Sequence, residues 1–122
     1  MPSTILIVDD EPGIRTMVQF ELSQSGHTIL TADSGATALE VLKTKTVDLI
    51  LTDMRMPQMD GLDLVVQVRK SHPVLPIILM TGFVEDRVKK VQEYNLADML
   101  HKPFTIDQLA ESVEKVLRAK PA

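Results

Sequence analysis

The sequence predicts a doubly wound α/β domain, a parallel β-sheet covered by helices on both faces. Three observations carry this expectation. Five short apolar runs recur about twenty residues apart. The stretches between them switch to the 3.6-residue period of amphipathic helices, and each connection is long enough for one helix only, as a parallel strand crossover requires. At 122 residues, 44% hydrophobic and 25% charged, the chain has the size and composition of a single domain over residues 1–122.

The runs are ILIV from Ile5, HTIL from His27, DLIL from Asp48, PIILM from Pro76 and DMLHK from Asp98. Runs without polar alternation are expected of strands buried on both faces; the last is more polar, as an edge strand is. Between the runs, Ile14, Met17, Val18 and Leu22 form a helical stripe behind Pro12, which suits a first helical turn, with Gly26 as a stop. Ala38, Leu39 and Leu42 follow the cap candidates Asp33 and Ser34. Leu64, Val65 and Val68 follow Asp60-Gly61, and His72-Pro73 ends that helix. Val84, Val88 and Val91 mark a fourth helix. Ile106, Leu109, Ala110, Val113, Val116 and Leu117 mark the longest, opened by Thr105 and Gln108 in capping-box spacing.

Charge and composition narrow the function classes. A net charge of -4 argues against direct nucleic-acid binding, which normally presents a basic stripe. Through Leu42 the only basic residue is Arg15, set against Asp9, Asp10, Glu11, Glu21, Asp33 and Glu40. The absence of cysteine excludes disulfides and thiolate metal sites. The first apolar run is too short for a secretory signal and no later run has membrane-spanning length, so a soluble, cytoplasmic protein with no membrane partner is expected. No linker, repeat or low-complexity segment interrupts the chain, and the closing RAKPA suits either a terminus or the start of a linker.

The opening stretch Ile5–Glu11, ILIVDDE, runs four branched apolar residues straight into three carboxylates. Such acids repel one another and lose hydration against buried β-structure, an arrangement that calls for a positive partner. In a doubly wound sheet, ligands bind beyond the carboxyl ends of the strands. There the chain places Asp9 and Asp10 after the first strand, Asp53 after the third, Thr81 after the fourth and Lys102 at the end of the fifth. Taken singly, Asp10 or Glu11 could cap a helix, as could Thr81, and Lys102 could be a snorkelling edge lysine. Asp53 is different, because MRMPQMDG separates it from any helix and Pro57 with Asp60-Gly61 makes that segment a shaped loop.

Clustered carboxylates favour a hard divalent cation, Mg²⁺ rather than zinc, which would want histidine or cysteine; His27, His72 and His101 are scattered and are expected to be surface or strand residues. An all-oxygen site with a lysine and a hydroxyl suits phosphate. No glycine-rich nucleotide loop occurs, so the phosphoryl group is expected on the protein itself, with Asp53 as the covalent acceptor.

With VDDE carrying Asp9 and Asp10, LTDMRMPQMDG carrying Asp53, MTG carrying Thr81 and KPF carrying Lys102, in order and spacing, the chain resembles the receiver (CheY-like) domain of two-component response regulators over essentially its whole length. The resemblance implies a flavodoxin-like sheet of five parallel strands in the order 2-1-3-4-5 with five helices. It implies that Asp53 accepts a phosphoryl group from a sensor histidine kinase or histidine phosphotransfer protein. Asp10, Asp53 and the backbone carbonyl of Arg55 would hold Mg²⁺, Asp9 would support it through water, and Thr81 and Lys102 would contact the phosphoryl oxygens. The protein would then be no enzyme beyond its own phosphorylation and dephosphorylation. Its output would pass through the fourth helix, fifth strand and fifth helix to an effector or a phosphorylation-dependent homodimer. Arg87, Lys89 and Lys90 give the fourth helix basic character on this surface.

One departure stands out. The family places an aromatic residue three positions before the lysine, and here that position is Met99. Either the switch runs through Thr81 and the fourth helix with a softer readout, or this member signals differently. Arg55 and Phe83, two positions after Asp53 and Thr81, would flank the path of the hydrolysing water and shield the acyl phosphate, or lie flat on the surface. Two alternatives compete: a Mg²⁺-dependent aspartyl-phosphate phosphohydrolase, which lacks a second acid beside Asp53, and a flavodoxin-type flavin carrier, which lacks a Ser/Thr-rich phosphate loop.

Overall fold

Strands and helices alternate as expected. A computed structural model describes residues 2–82 and 87–119. In chain order the elements are β1 (Thr4–Val8), α1 (Pro12–Ser23), β2 (Thr28–Ala32), α2 (Gly35–Thr44), β3 (Leu49–Asp53), α3 (Gly61–Ser71), β4 (Ile77–Thr81), α4 (Arg87–Glu93), β5 (Asp98–His101) and α5 (Ile106–Ala119). All neighbouring strands pair in parallel in the order β2-β1-β3-β4-β5. The chain runs outward from β1 to β2 and returns past β1 to β3, so the topological switch lies between β1 and β3.

Alternate strand residues face opposite sides of the sheet, and each side has its own core. Ile5, Ile7, Leu49, Leu51, Ile78 and Met80 pack with Val18 and Leu22 of α1 and with Leu109, Val113 and Val116 of α5. Leu6, Val8, Ile50, Ile77, Leu79 and Met99 pack with Ala38 and Leu42 of α2 and with Leu64, Val65 and Val68 of α3. The three inner strands are therefore buried on both faces, which is why their sequences lack polar alternation.

The caps agree with the sequence signals. Ser34 Oγ accepts the Thr37 N–H at the start of α2. Asp60 and Asp63 form a capping box on α3, and Thr105 and Gln108 form another at the start of α5. Gly26, at φ +87, makes the left-handed turn between α1 and β2 that a side chain would disfavour.

Four expectations need correction. HTIL, read as a strand buried on both faces, begins one residue later and is an edge strand, with Thr28 and Thr31 exposed. Met17 and Ile106 carry the helical period but are 38% and 44% exposed, because they fall at the margins of their stripes where the sheet does not reach. His27, read as a surface or strand residue, is buried just before β2: its Nδ1 accepts the Ser3 N–H at 3.0 Å and its Nε2 lies 2.8 Å from Glu114 Oε1. With Nδ1 an acceptor, the proton sits on Nε2 and is donated to Glu114. Val84 lies outside the described residues, as do the side chains of Arg87, Val88 and Lys90; Lys89 is exposed.

Candidate functional site

The carboxyl edge of the sheet at the β1/β3 switch collects the acids. β1 ends at Val8, and Asp9 follows with no exposed surface. Its N–H donates to Ala32 O at 3.1 Å, its Oδ1 accepts the Glu11 N–H at 2.9 Å, and its carbonyl accepts Arg15 Nη1 at 2.7 Å. Asp9 Oδ2 is buried and has no hydrogen-bond partner among the described residues. Asp10 next to it is exposed.

Asp53 is the last residue of β3 and 5% exposed. The loop that follows is held close to the sheet: the Met54 N–H donates to Met80 O at 2.8 Å and the Gly61 N–H to Met54 O at 2.7 Å. Gly61 is required at this approach, because a Cβ there would stand 2.5 Å from the Asp53 carbonyl oxygen and 2.9 Å from Met54 Cα. Within the loop Gln58 takes φ 70, and Arg55 is exposed, lining a cleft together with Asp10, Met56, Pro57 and Asp60.

Lys102 follows β5. Its N–H donates to the Thr81 carbonyl at 2.7 Å, and its ammonium donates to Asp53 Oδ1 at 2.9 Å. Thr81 is buried at the end of β4, one residue beyond Met80, the register partner of Asp53. One carboxylate oxygen each from Asp9, Asp10 and Asp53 lies within 4.8 Å of the others. The four strands thus bring every predicted side chain, Asp9, Asp10, Asp53, Thr81 and Lys102, to one edge, with Arg55 beside them.

Three carboxylates face one ammonium in this pocket. Burial pushes Asp9 up to about 6, against the lowering effect of the Glu11 N–H, and the neighbouring Asp53 charge adds to the rise. Burial alone would lower Lys102, but its hydrogen bond to Asp53 and the charges of Asp53, Asp9 and Glu11 outweigh it and raise the ammonium above its usual value. The orphaned, buried Asp9 Oδ2, the oxygen-only donor set and the surplus negative charge all fit a hard divalent cation.

The family model for the response regulator receiver domain matches residues 5–114. The chain belongs to that family. Its receiver domain is 40% identical over 114 residues to the DNA-binding transcriptional regulator NtrC of Escherichia coli K12, covering 93% of this chain and 24% of that protein. The chain thus spans about a quarter of the length of the first curated relatives it matches. Among solved structures, chemotaxis response regulator CheY4 of Vibrio cholerae superposes with a TM-score of 0.89 at 28% identity, covering 95% of this chain and 99% of that one. TrrA of Thermotoga maritima, solved in complex with Mg²⁺-BeF, gives 0.84 at 34% identity, covering 93% and 98%. As a receiver, the protein acts in two-component phosphorelay signalling. The phosphohydrolase alternative is not favoured.

The departure at Met99 can be placed. Met99 is 4% exposed, in register with Leu79 and packed into the core on the α2/α3 side, with its N–H on Asp98 Oδ1 at 2.8 Å. The methionine therefore points inward. Phe83 lies outside the described residues.

Sequence reasoning missed the Arg15 bond to the Asp9 carbonyl and the Gly61 contact with Asp53. Both were marked: Arg15 is the only cation before residue 43, and Gly61 follows a cap residue at the end of the Asp53 loop.

Proposed function

We propose that the 122-residue chain acts as one receiver unit in which Asp53 is the phosphoacceptor, supplied by a sensor histidine kinase or histidine phosphotransfer protein. The single observation that carries this reading is the Asp53 carboxylate at the end of β3, held by Lys102 at 2.9 Å and grouped with Asp9 and Asp10. A carboxylate oxygen of Asp53 attacks the phosphorus of the phosphohistidine. An O–P bond forms, the N–P bond breaks, and its electron pair stays on the imidazole of the donor.

Asp10, Asp53 and the Arg55 carbonyl would hold Mg²⁺, with Asp9 supporting it through water. Bound there, the ion supplies charge neutralisation between an anionic nucleophile and an anionic donor. The structure of TrrA with Mg²⁺-BeF supports the choice of ion. Lys102 bridges Asp53 before transfer and a phosphoryl oxygen after it, and the Thr81 hydroxyl donates to another. The domain catalyses only its own phosphorylation and dephosphorylation.

The output proposed is a change on the surface formed by α4, β5 and α5, controlling an effector or a homodimer, in a cytoplasmic setting. The relatives that are transcriptional regulators support a regulatory effector, and the net charge of -4 supports leaving DNA contact to it. Incubation with acetyl phosphate and Mg²⁺ should label the wild-type chain with an acid-stable, base-labile phosphoryl group, and Asp53→Asn should abolish it. Label retained at the wild-type level would overturn the assignment.

A further inference from the structure

The cation that lies closest to the paired acids in sequence is not used by the chemistry just described. Arg15 is the fourth residue of α1. Helical side chains lean toward the amino terminus of their helix, so this position reaches back over the first turn. Its Nη1 there donates to the Asp9 carbonyl at 2.7 Å. A cation in the first turns of a helix opposes the macrodipole, and the acid nearest the start of α1, Glu11, stands at its N-cap rather than in its first turn. The macrodipole itself therefore does not favour a cation at this position.

Asp9 gives it a purpose. Three of the four polar atoms of Asp9 are tied, its N–H to Ala32, its Oδ1 to the Glu11 N–H and its carbonyl to Arg15, and Oδ2 has no partner among the described residues. Local backbone offers little replacement for the Arg15 bond, since the Glu11 N–H is already engaged and Pro12 has none. The Asp9–Asp10 peptide is planar, so fixing its carbonyl also fixes the direction in which the exposed Asp10 leaves the strand. A guanidinium suits this task because it donates charge-assisted hydrogen bonds from a rigid plane.

We propose that Arg15 is a positioning residue of the cation site: by clamping the Asp9 carbonyl it sets the direction in which the Asp9 and Asp10 carboxylates face Asp53. The inference rests on the Mg²⁺ reading above. Groups that orient metal ligands typically change affinity about tenfold or more when removed.

The test is a Mg²⁺ titration of the whole chain followed by the backbone amide shifts of Asp10 and Asp53. Wild type should show saturable binding. Arg15→Met should fold and bind Mg²⁺ about tenfold more weakly, with the wild-type shift pattern kept at the far, amino-terminal ends of the strands. Arg15→Gln, polar but too short to span the same gap, should show the same loss and serves if the methionine variant does not fold. A dissociation constant within about twofold of wild type in a folded variant, even with a lowered melting temperature, would overturn the clamp alone, because the arginine would then act on stability only. Absence of saturable binding by wild type would overturn the Mg²⁺ reading and the clamp together.

Discussion

Lys102 Nζ donates to Asp53 Oδ1 across 2.9 Å, joining the segment after β5 to the end of β3 over the intervening strand β4. In Lys102→Met the apolar stem remains and the charge goes, leaving Asp53 among like charges. The metal-free variant should melt lower than wild type at neutral pH, and Mg²⁺ should raise its melting temperature by more than it raises that of wild type, since the ion takes over the neutralising role. Labelling by acetyl phosphate should slow about 100-fold, the typical effect of deleting one charge-stabilising donor. Wild-type labelling kinetics in this variant would contradict the role.

Asp9 sets a pH dependence. Its folded value of about 6 lies above its ordinary 3.8, so the protonated form is favoured on folding. The stabilisation it contributes is therefore fully present below about pH 4 and is lost as pH rises through about 6. Asp9→Asn, which mimics the neutral form, should raise the melting temperature of the metal-free protein at pH 7.5, by the equivalent of about 1–3 kcal/mol, and have little effect near pH 4. Thermal melts at the two pH values check this; equal shifts at both would show that burial of the charge is not the cause.

Gly61 bears on Asp53 through the backbone. A methyl group in Gly61→Ala would press on the Asp53 carbonyl and Met54 Cα, neither of which can swing aside as a side chain could. The end of β3 must shift, so labelling should slow about tenfold and stability fall by about 1–3 kcal/mol. Single-turnover labelling at saturating donor, alongside urea denaturation, separates the two effects. Unaltered labelling with lowered stability would mean that the shift does not reach the carboxylate.

Arg69 is a control at the opposite end of the sheet. Its Nη1 donates to His72 O at 3.0 Å and Leu75 O at 2.7 Å, and its Nη2 to Asn95 O at 2.8 Å, pinning the segments that lead into β4 and β5. Arg69→Met leaves three carbonyls without these charge-assisted donors and should lower stability by about 2–4 kcal/mol in urea. The labelling rate at a temperature where the variant is folded should match wild type. A slowed rate would show that the amino-terminal ends of β4 and β5 are coupled to the phosphorylation pocket.

Much of this was legible in the chain because it rests on local signals. Unbroken apolar runs mark strands covered on both sides, Ser34, Asp60 and Thr105 mark helix starts, and the MRMPQMDG segment marks a loop that separates Asp53 from the next helix. Less legible was anything decided by which surface a residue finally meets. HTIL has the apolar content of an inner strand yet lies at the edge, and Met17 and Ile106 keep helical period at margins the core does not cover. His27 looked unplaced until Ser3 and Glu114, from the two far ends of the chain, closed around it.

The sequence by itself determined the alternation of elements, the length of each connection and which residue type stands at the carboxyl end of each strand, because periodicity and capping act over a few neighbouring residues. Only the tertiary structure decided that the Asp9 Oδ2 is buried without a partner among the described residues, that Lys102 reaches Asp53, that Arg15 holds the Asp9 carbonyl and that Met99 turns into the core. These depend on strand order and register, which place residues dozens of positions apart within a few ångströms, and no local pattern encodes such distances.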